Sequence, residues 1–444
     1  MPRISVSLTL ALVLALGLAS LGRPATIGAQ NAPGIAPPSA SGGLARTVKW
    51  TPRVDYAGDF FPAAALAYGP VKRLFDGSPR MVGLDKMPTT VTPRSSSATP
   101  VPGVGRFRVA SMTRQYVGDG FGLLGAEITL DRVPALVRLV VDAPDFAMPS
   151  SIDVMVTEAG ITYEIFPEML YVDAKLKQIG VPTVSNIAFR LTVNDSLVGE
   201  HVERVQVRAV TDIPISYRTA EGTNTSQPWL FAAYVNEYHP SLDPLLREAL
   251  ATGVITAFTG YQVDAQGVLM QVFAIWNALQ RRGIRYSTVA TAVPTAAGVF
   301  SQNVRPLDES LQSSQANCVD GSVLFASALR RIGIDPILIL VPGHMFVGYY
   351  EDARHQRARF IETTLLGATD LRGLPADGSF GGDLNRLFGG DTRNTASGRA
   401  FDYAMATASQ RYNTVLPMIR AGQNPQYQLI DIAAIRKTGM APAR

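Results

Sequence analysis

From Arg106 to about Tyr217, apolar and polar positions alternate with period two. Ile187, Phe189, Leu191 and Val193 are separated by Ala188, Arg190 and Thr192, and Val205 and Val207 alternate with Arg204, Gln206 and Arg208. Successive side chains of a strand point to opposite faces, so this pattern predicts half-buried β-strands. Val137 to Val141 and Ile152 to Val156 read as further strands, and Glu158-Ala159-Gly160 as a hairpin turn before Ile161 to Phe166. Several short strands with turn residues between them predict an immunoglobulin-like β-sandwich domain over residues 105–217. It holds no catalytic constellation, so its expected work is scaffolding or the binding of a partner protein.

After Tyr217 the spacing becomes helical. Ser241-Leu242-Asp243-Pro244 offers a cap and a first-turn proline for a helix through Ala251. Asp264 caps a stronger helix, with Val268, Leu269, Val272, Phe273, Ile275, Trp276 and Leu279 on its apolar side and Gly283 at its end. Trp276 is expected in the core. Ile284 to Ser287 reads as an extended lead, and Cys318 to Arg331 as a helix ending at Gly333. Ile337 to Val341 and then His344 to Tyr350 read as strands joined through Pro342-Gly343, and Arg359 to Thr364 as a third strand. Beyond Gly367 the composition is that of loops, with a helix over Phe401 to Gln410 and a closing element over Tyr427 to Arg436. The class is therefore α+β, with the sandwich followed by an α+β domain over residues 218–444.

The first hundred residues are different. Ile4 to Ser20 is an uncharged run after Arg3, followed by small residues. It reads as a secretory signal peptide, or an uncleaved N-terminal anchor, within residues 1–30. Residues 31–104 form a low-complexity lead with a short ordered segment over 47–83, where a helix is expected, and a linker at 86–104. An exported protein follows: periplasmic, cell-surface or secreted, touching a membrane only through that N-terminal segment. The formal net charge is +4 with no block of like charge, which leaves no nucleic-acid footprint. Four histidines and one cysteine, widely spaced, make no metal-ligand cluster, and no glycine loop for a phosphate is present, so neither metal nor cofactor is expected.

The single cysteine, Cys318, changes the picture. It opens a predicted helix, whose free backbone N–H groups and dipole favour an anion. His344 opens a predicted strand, and Glu362 lies on the next. Neighbouring antiparallel strands bring side chains to about 5 Å, so an imidazole and a carboxylate on them can meet. A thiol needs such help, because only the thiolate is a good nucleophile. An adjacent imidazole takes the proton, and a carboxylate behind it fixes the ring. Asp320, on the first turn, reads as structural, bonding loop backbone; Arg305 and Glu309 read as a pair one turn apart.

The stretches NCVDGSVLFASALRRIGI, LVPGHMFVGYY and FIETTLLG resemble the transglutaminase-like superfamily of papain-like cysteine enzymes, in a bacterial exported branch. The resemblance covers residues 228–370. It implies Cys318 as nucleophile, His344 as base and Glu362 as the third member, where most of the superfamily has Asp. It also implies an oxyanion side chain upstream of the cysteine. Gln302, Gln312 and Gln315 are all available, and Gln302 is favoured. The expected function is acyl transfer through a thioester by a peptidase or amidase on protein or peptide substrates. Two alternatives stay open: a protein-crosslinking transglutaminase, and a catalytically inactive binding or assembly module with the same fold.

Overall fold

The computed structural model describes residues 48–68, 114–218, 224–288, 295–368, 370–373, 376–378, 384–422, 424, 426–437, 440 and 442. The run Ile4 to Ser20, the lead up to residue 47 and the linker at 86–104 lie outside the described residues. All described residues fall in the compact unit Gly43–Arg444.

The period-two region forms strands. In Thr183–Val193 the side chains of Ser185, Ile187, Phe189, Leu191 and Val193 are buried, while Val184, Asn186, Ala188 and Arg190 are exposed. Thr183–Val193 and Ser196–Val207 form a hairpin across Asn194-Asp195, both with positive φ. Asn and Asp tolerate that conformation better than other side chains do, and it suits tight hairpins. Together with Ala135–Asp142, Ser150–Val156 and the short Asp59–Phe60 they make a five-stranded sheet.

A second, four-stranded sheet runs in the order Val48–Val54, Leu124–Leu130, Thr162–Phe166, Arg114–Gly118. Its edge strand, Val48–Val54, falls in the segment where the sequence predicts a short helix. Residues 62–68 are helical, but 48–54 pair antiparallel with Leu124–Leu130. Pro52 reads as a strand breaker, yet an edge strand tolerates it because the side facing solvent needs no N–H donor.

Asp212–Arg218, the last strand of the period-two region, leaves these sheets. It pairs with Val299–Asn303 and Asn224–Ser226 instead. One apolar core runs without a break from Val48 through Phe189 and Trp276 to Met440.

The C-terminal part centres on a four-stranded antiparallel sheet in the order Ala358–Ile361, His344–Tyr350, Pro336–Val341, Gln428–Asp431. The helix Cys318–Arg331 packs across it. Behind lies Ala265–Arg281, capped by Asp264 accepting from Gly267 N–H at 2.8 Å. Trp276 is fully buried there, its ring 5.5 Å from Phe401.

Phe401 belongs to a helix much longer than its sequence suggests, Thr392–Ala421. Its first turns, TRNTASGR, read as loop because small polar residues favour turns over helix interiors. Tertiary contacts override that preference. Asn394 is buried and accepts from Asn277 Nδ2 at 2.6 Å and Arg281 Nη2 at 2.7 Å, while its own amide donates to Thr252 O. Gly398 lies so close to Phe388 that a Cβ would sit 2.9 Å from its ring. Among the described residues no helix is long and apolar enough to cross a membrane.

Candidate active site

Cys318 is the first residue of its helix. Asn317 caps it: its Oδ1 accepts from Val319 N–H at 2.8 Å and Asp320 N–H at 2.9 Å. Asp320 reaches back to Asn317 N–H at 3.2 Å, completing a reciprocal capping box. Its other oxygen accepts from Arg305 N–H at 2.8 Å. Burial, partly offset by these two bonds, holds the Asp320 carboxyl above the usual carboxylate range. Asp320 therefore ties the incoming loop to the helix start. Each cap bond of this kind stabilises a helix by about 1 kcal/mol. The Cys318 N–H is one of the first-turn donors that have no intrahelical acceptor.

His344 follows the turn at Pro342-Gly343, where Gly343 has φ 70° and Val341 pairs with His344. Such a turn favours glycine because a Cβ is strained at positive φ. The His344 ring lies close enough to the Cys318 thiol for the thiol to raise its basicity, and its Nε2 bonds Glu362 Oε2 at 2.8 Å. The strand Ala358–Ile361 ends one residue before Glu362, sooner than the sequence suggests. Glu362 instead caps the turn Thr363–Leu365 and sits diagonally across from His344, since Val347 pairs with Ile361.

Glu362 is 2% exposed. Its Oε2 also accepts from Arg411 Nη1 at 2.6 Å, and its Oε1 accepts from Thr364 Oγ1 at 2.7 Å and Thr364 N–H at 3.3 Å. Burial alone would push this carboxyl up; the His344 bond and charge, then Arg411 and Thr364, outweigh it and hold the group below its ordinary range. For His344, burial alone would lower the basicity. The bonds to Cys318 and Glu362 and the Glu362 charge overcome that and the opposing Arg411 charge, and the ring is raised to about 9. The arrangement therefore favours imidazolium beside carboxylate, as needed to stabilise a thiolate.

Two small residues bring the three carriers together. Ser322 Oγ donates to Cys318 O at 2.7 Å and lies 3.4 Å from both Met345 O and Thr363 Oγ1, so helix, histidine strand and glutamate turn meet there. Gly321 lets the turn come close: a Cβ there would be 3.0 Å from Thr363 Oγ1.

The side chain of the favoured oxyanion residue has a partner within its own strand. Gln302 lies in Val299–Asn303, and its amide donates to Asn303 O at 2.8 Å. Among the described residues no hydrogen bond links it to Cys318. Its strand pairs with Asp212–Arg218. Gln312 is exposed on Leu307–Ser313, and Gln315 is exposed in the short strand before the cysteine. Sequence reasoning also missed Arg411, on the remote helix Thr392–Ala421, and Tyr286, whose hydroxyl lies within electrostatic range of Cys318 and Glu362. Arg411 gives no local signal; the extended segment at 284–287 pointed toward the site without singling out Tyr286.

Among the described residues, no group of three or more His, Cys, Asp or Glu side chains is gathered as a metal site. No family model, curated protein or solved structure matches this chain. The arrangement of Cys318, His344, Glu362 and Arg411 is therefore the ground on which a functional reading stands.

Proposed function

We propose that the protein is a transglutaminase-like cysteine enzyme that transfers acyl groups through a thioester, acting as a peptidase or amidase on protein or peptide substrates. The observation that supports this is the His344–Glu362–Arg411 hydrogen-bonded chain set beside the thiol at the helix start. In this reading His344 takes the thiol proton, and the Cys318 sulfur attacks an amide carbonyl. The imidazolium then protonates the departing amine. Glu362 holds the ring through Nε2, which leaves the other nitrogen to exchange the thiol proton. The Cys318 N–H contributes one donor to the oxyanion. The helix Cys318–Arg331 laid across its antiparallel sheet is the papain-like element of the proposal. The two sheets over residues 48–207 are read as an immunoglobulin-like sandwich serving as scaffold or as the seat of a partner protein. Export through the segment Ile4 to Ser20 belongs to the same proposal.

Intact-mass spectrometry after mixing with p-nitrophenyl acetate tests it. The expected result is one acetyl group on Cys318, absent from Cys318→Ala and slowed in His344→Ala. Adding a primary amine then separates the two enzyme readings: water alone clears the acetyl group in a hydrolase, while the amine speeds its loss in a transglutaminase. Absence of any acetylation would leave the binding-module reading.

A further inference from the structure

The strand Arg285–Tyr286 runs parallel to Gln315–Ala316, with Tyr286 opposite Ala316. Arg285 N–H donates to Ser314 O and Ser287 N–H to Ala316 O, each at 3.0 Å. Tyr286 is thereby held in register beside the residues that lead directly into Cys318. From the other side, Gly367 closes on the same segment: a Cβ there would lie 2.6 Å from Ile284 O and 2.7 Å from Arg285 Cγ. Its N–H donates to Gln280 Oε1 at 3.0 Å, and the turn Thr363–Leu365 that precedes it packs on the strand. So Tyr286 sits in a wedge between the chain entering Cys318 and the chain leaving Glu362.

Three properties suit it to contact a substrate. It is 45% exposed, so a ligand can reach it. Its hydroxyl makes no hydrogen bond among the described residues. Burial, then the charges of Cys318 and Glu362, hold that hydroxyl above the ordinary tyrosine range, so it remains a neutral O–H donor at working pH. Of the upstream glutamines, the favoured Gln302 spends its amide on Asn303 O.

We infer that Tyr286 is a catalytic residue, its hydroxyl being the side-chain donor that, with the Cys318 N–H, binds the oxyanion formed at Cys318. This rests on the acyl-transfer reading above. As the Cys318 sulfur bonds to the carbonyl carbon, the C=O π pair moves onto oxygen, and the tyrosine O–H hydrogen-bonds that charge. When the intermediate collapses, the C=O bond re-forms and the amine leaves with the proton from His344. Tyrosine keeps its proton throughout.

The test compares two reagents on the parent protein and Tyr286→Phe. Acetylation by p-nitrophenyl acetate passes through an oxyanion; alkylation by iodoacetamide does not. Loss of one such donor costs on the order of 10²-fold in rate, so acetylation should slow by about that factor while alkylation is unchanged. Equal acetylation by parent and variant overturns the assignment of Tyr286 alone. A parallel fall in both reactions also overturns it, because the hydroxyl would then act on the thiol. Circular dichroism of Tyr286→Phe must match the parent; removal of one oxygen from an exposed ring leaves packing intact, and a changed spectrum would mean that the hydroxyl supports the fold, overturning the assignment too. A parent no more acetylated than Cys318→Ala refutes the acyl-transfer reading itself.

Discussion

Replacing Glu362 with glutamine keeps the shape beside His344 and removes the charge. In the parent, burial works against the imidazolium, yet the ring is raised to about 9. Glu362 contributes twice, through its 2.8 Å contact and through its charge. In Glu362→Gln the charge goes and the bond weakens, while burial and the Arg411 charge, which both lower the value, remain. Only the Cys318 bond is left to raise it. His344 should then titrate well below 9, at or under its ordinary 6.5. A fall from about 9 to 6.5 or lower corresponds to about 3.5 kcal/mol or more of lost imidazolium stabilisation, at about 1.4 kcal/mol per pH unit. The ring side chain is only 19% exposed, so solvent screens this interaction little. The assay is the NMR titration of the histidine Cε1 resonances, four in all, with His344 assigned by its disappearance in His344→Ala. Iodoacetamide alkylation at neutral pH should slow in the same variant, since a less stable imidazolium supports less thiolate. A His344 midpoint that moves by less than about half a unit, under 1 kcal/mol, would refute the claim that the Glu362 charge holds this ring.

Arg411→Met should shift the same resonance the opposite way. Arg411 opposes the imidazolium, so removing it moves the His344 midpoint up; a downward shift would contradict the electrostatics described here. Arg411 is partly exposed, and the loss of its bond to Glu362 should cost about 1 kcal/mol of stability, read as a lower urea midpoint. Stability should also depend on pH through His344. The folded value of about 9 lies above the ordinary 6.5, so the ring's contribution is complete below 6.5 and is lost as pH rises through 9. The thermal midpoint of the parent should therefore fall more between those values than that of His344→Ala, and equal slopes would count against it.

What the sequence made legible was local. Asn317 and Asp320 announce a helix start around Cys318, and Pro342-Gly343 announces the turn that sets His344. Each signal lies within a few residues of what it determines. The residues that escaped are joined across long separations. Arg411 meets Glu362 at 49 positions' remove, and nothing in SQRYN marks it as a carboxylate partner. The helix Thr392–Ala421 hides behind Thr, Asn, Ser and Gly, whose turn preference is overridden by the buried bonds of Asn394. Val48–Val54 disguises itself with Pro52, and the pairing of the Gln302 strand with Asp212–Arg218 likewise joins distant segments. Tyr286 was passed over because an exposed tyrosine in a two-residue strand carries no periodicity at all.

The support of Glu362 by a helix so late in the chain has a consequence for biosynthesis. A ribosome delivers Cys318 and His344 well before it delivers Arg411 or the strand Gln428–Asp431 that flanks the histidine hairpin through Pro336–Val341. Until those last segments emerge and dock, Glu362 lacks its guanidinium partner and the sheet lacks an edge. A nascent or truncated chain therefore presents the thiol before the helix that packs on the Ala358–Ile361 strand and the sheet's outer strand are in place. The site is assembled only once translation has passed residue 431, so ribosome-stalled fragments ending before residue 411, which lack the helix packed on the Ala358–Ile361 strand, should label poorly with thiol reagents at neutral pH.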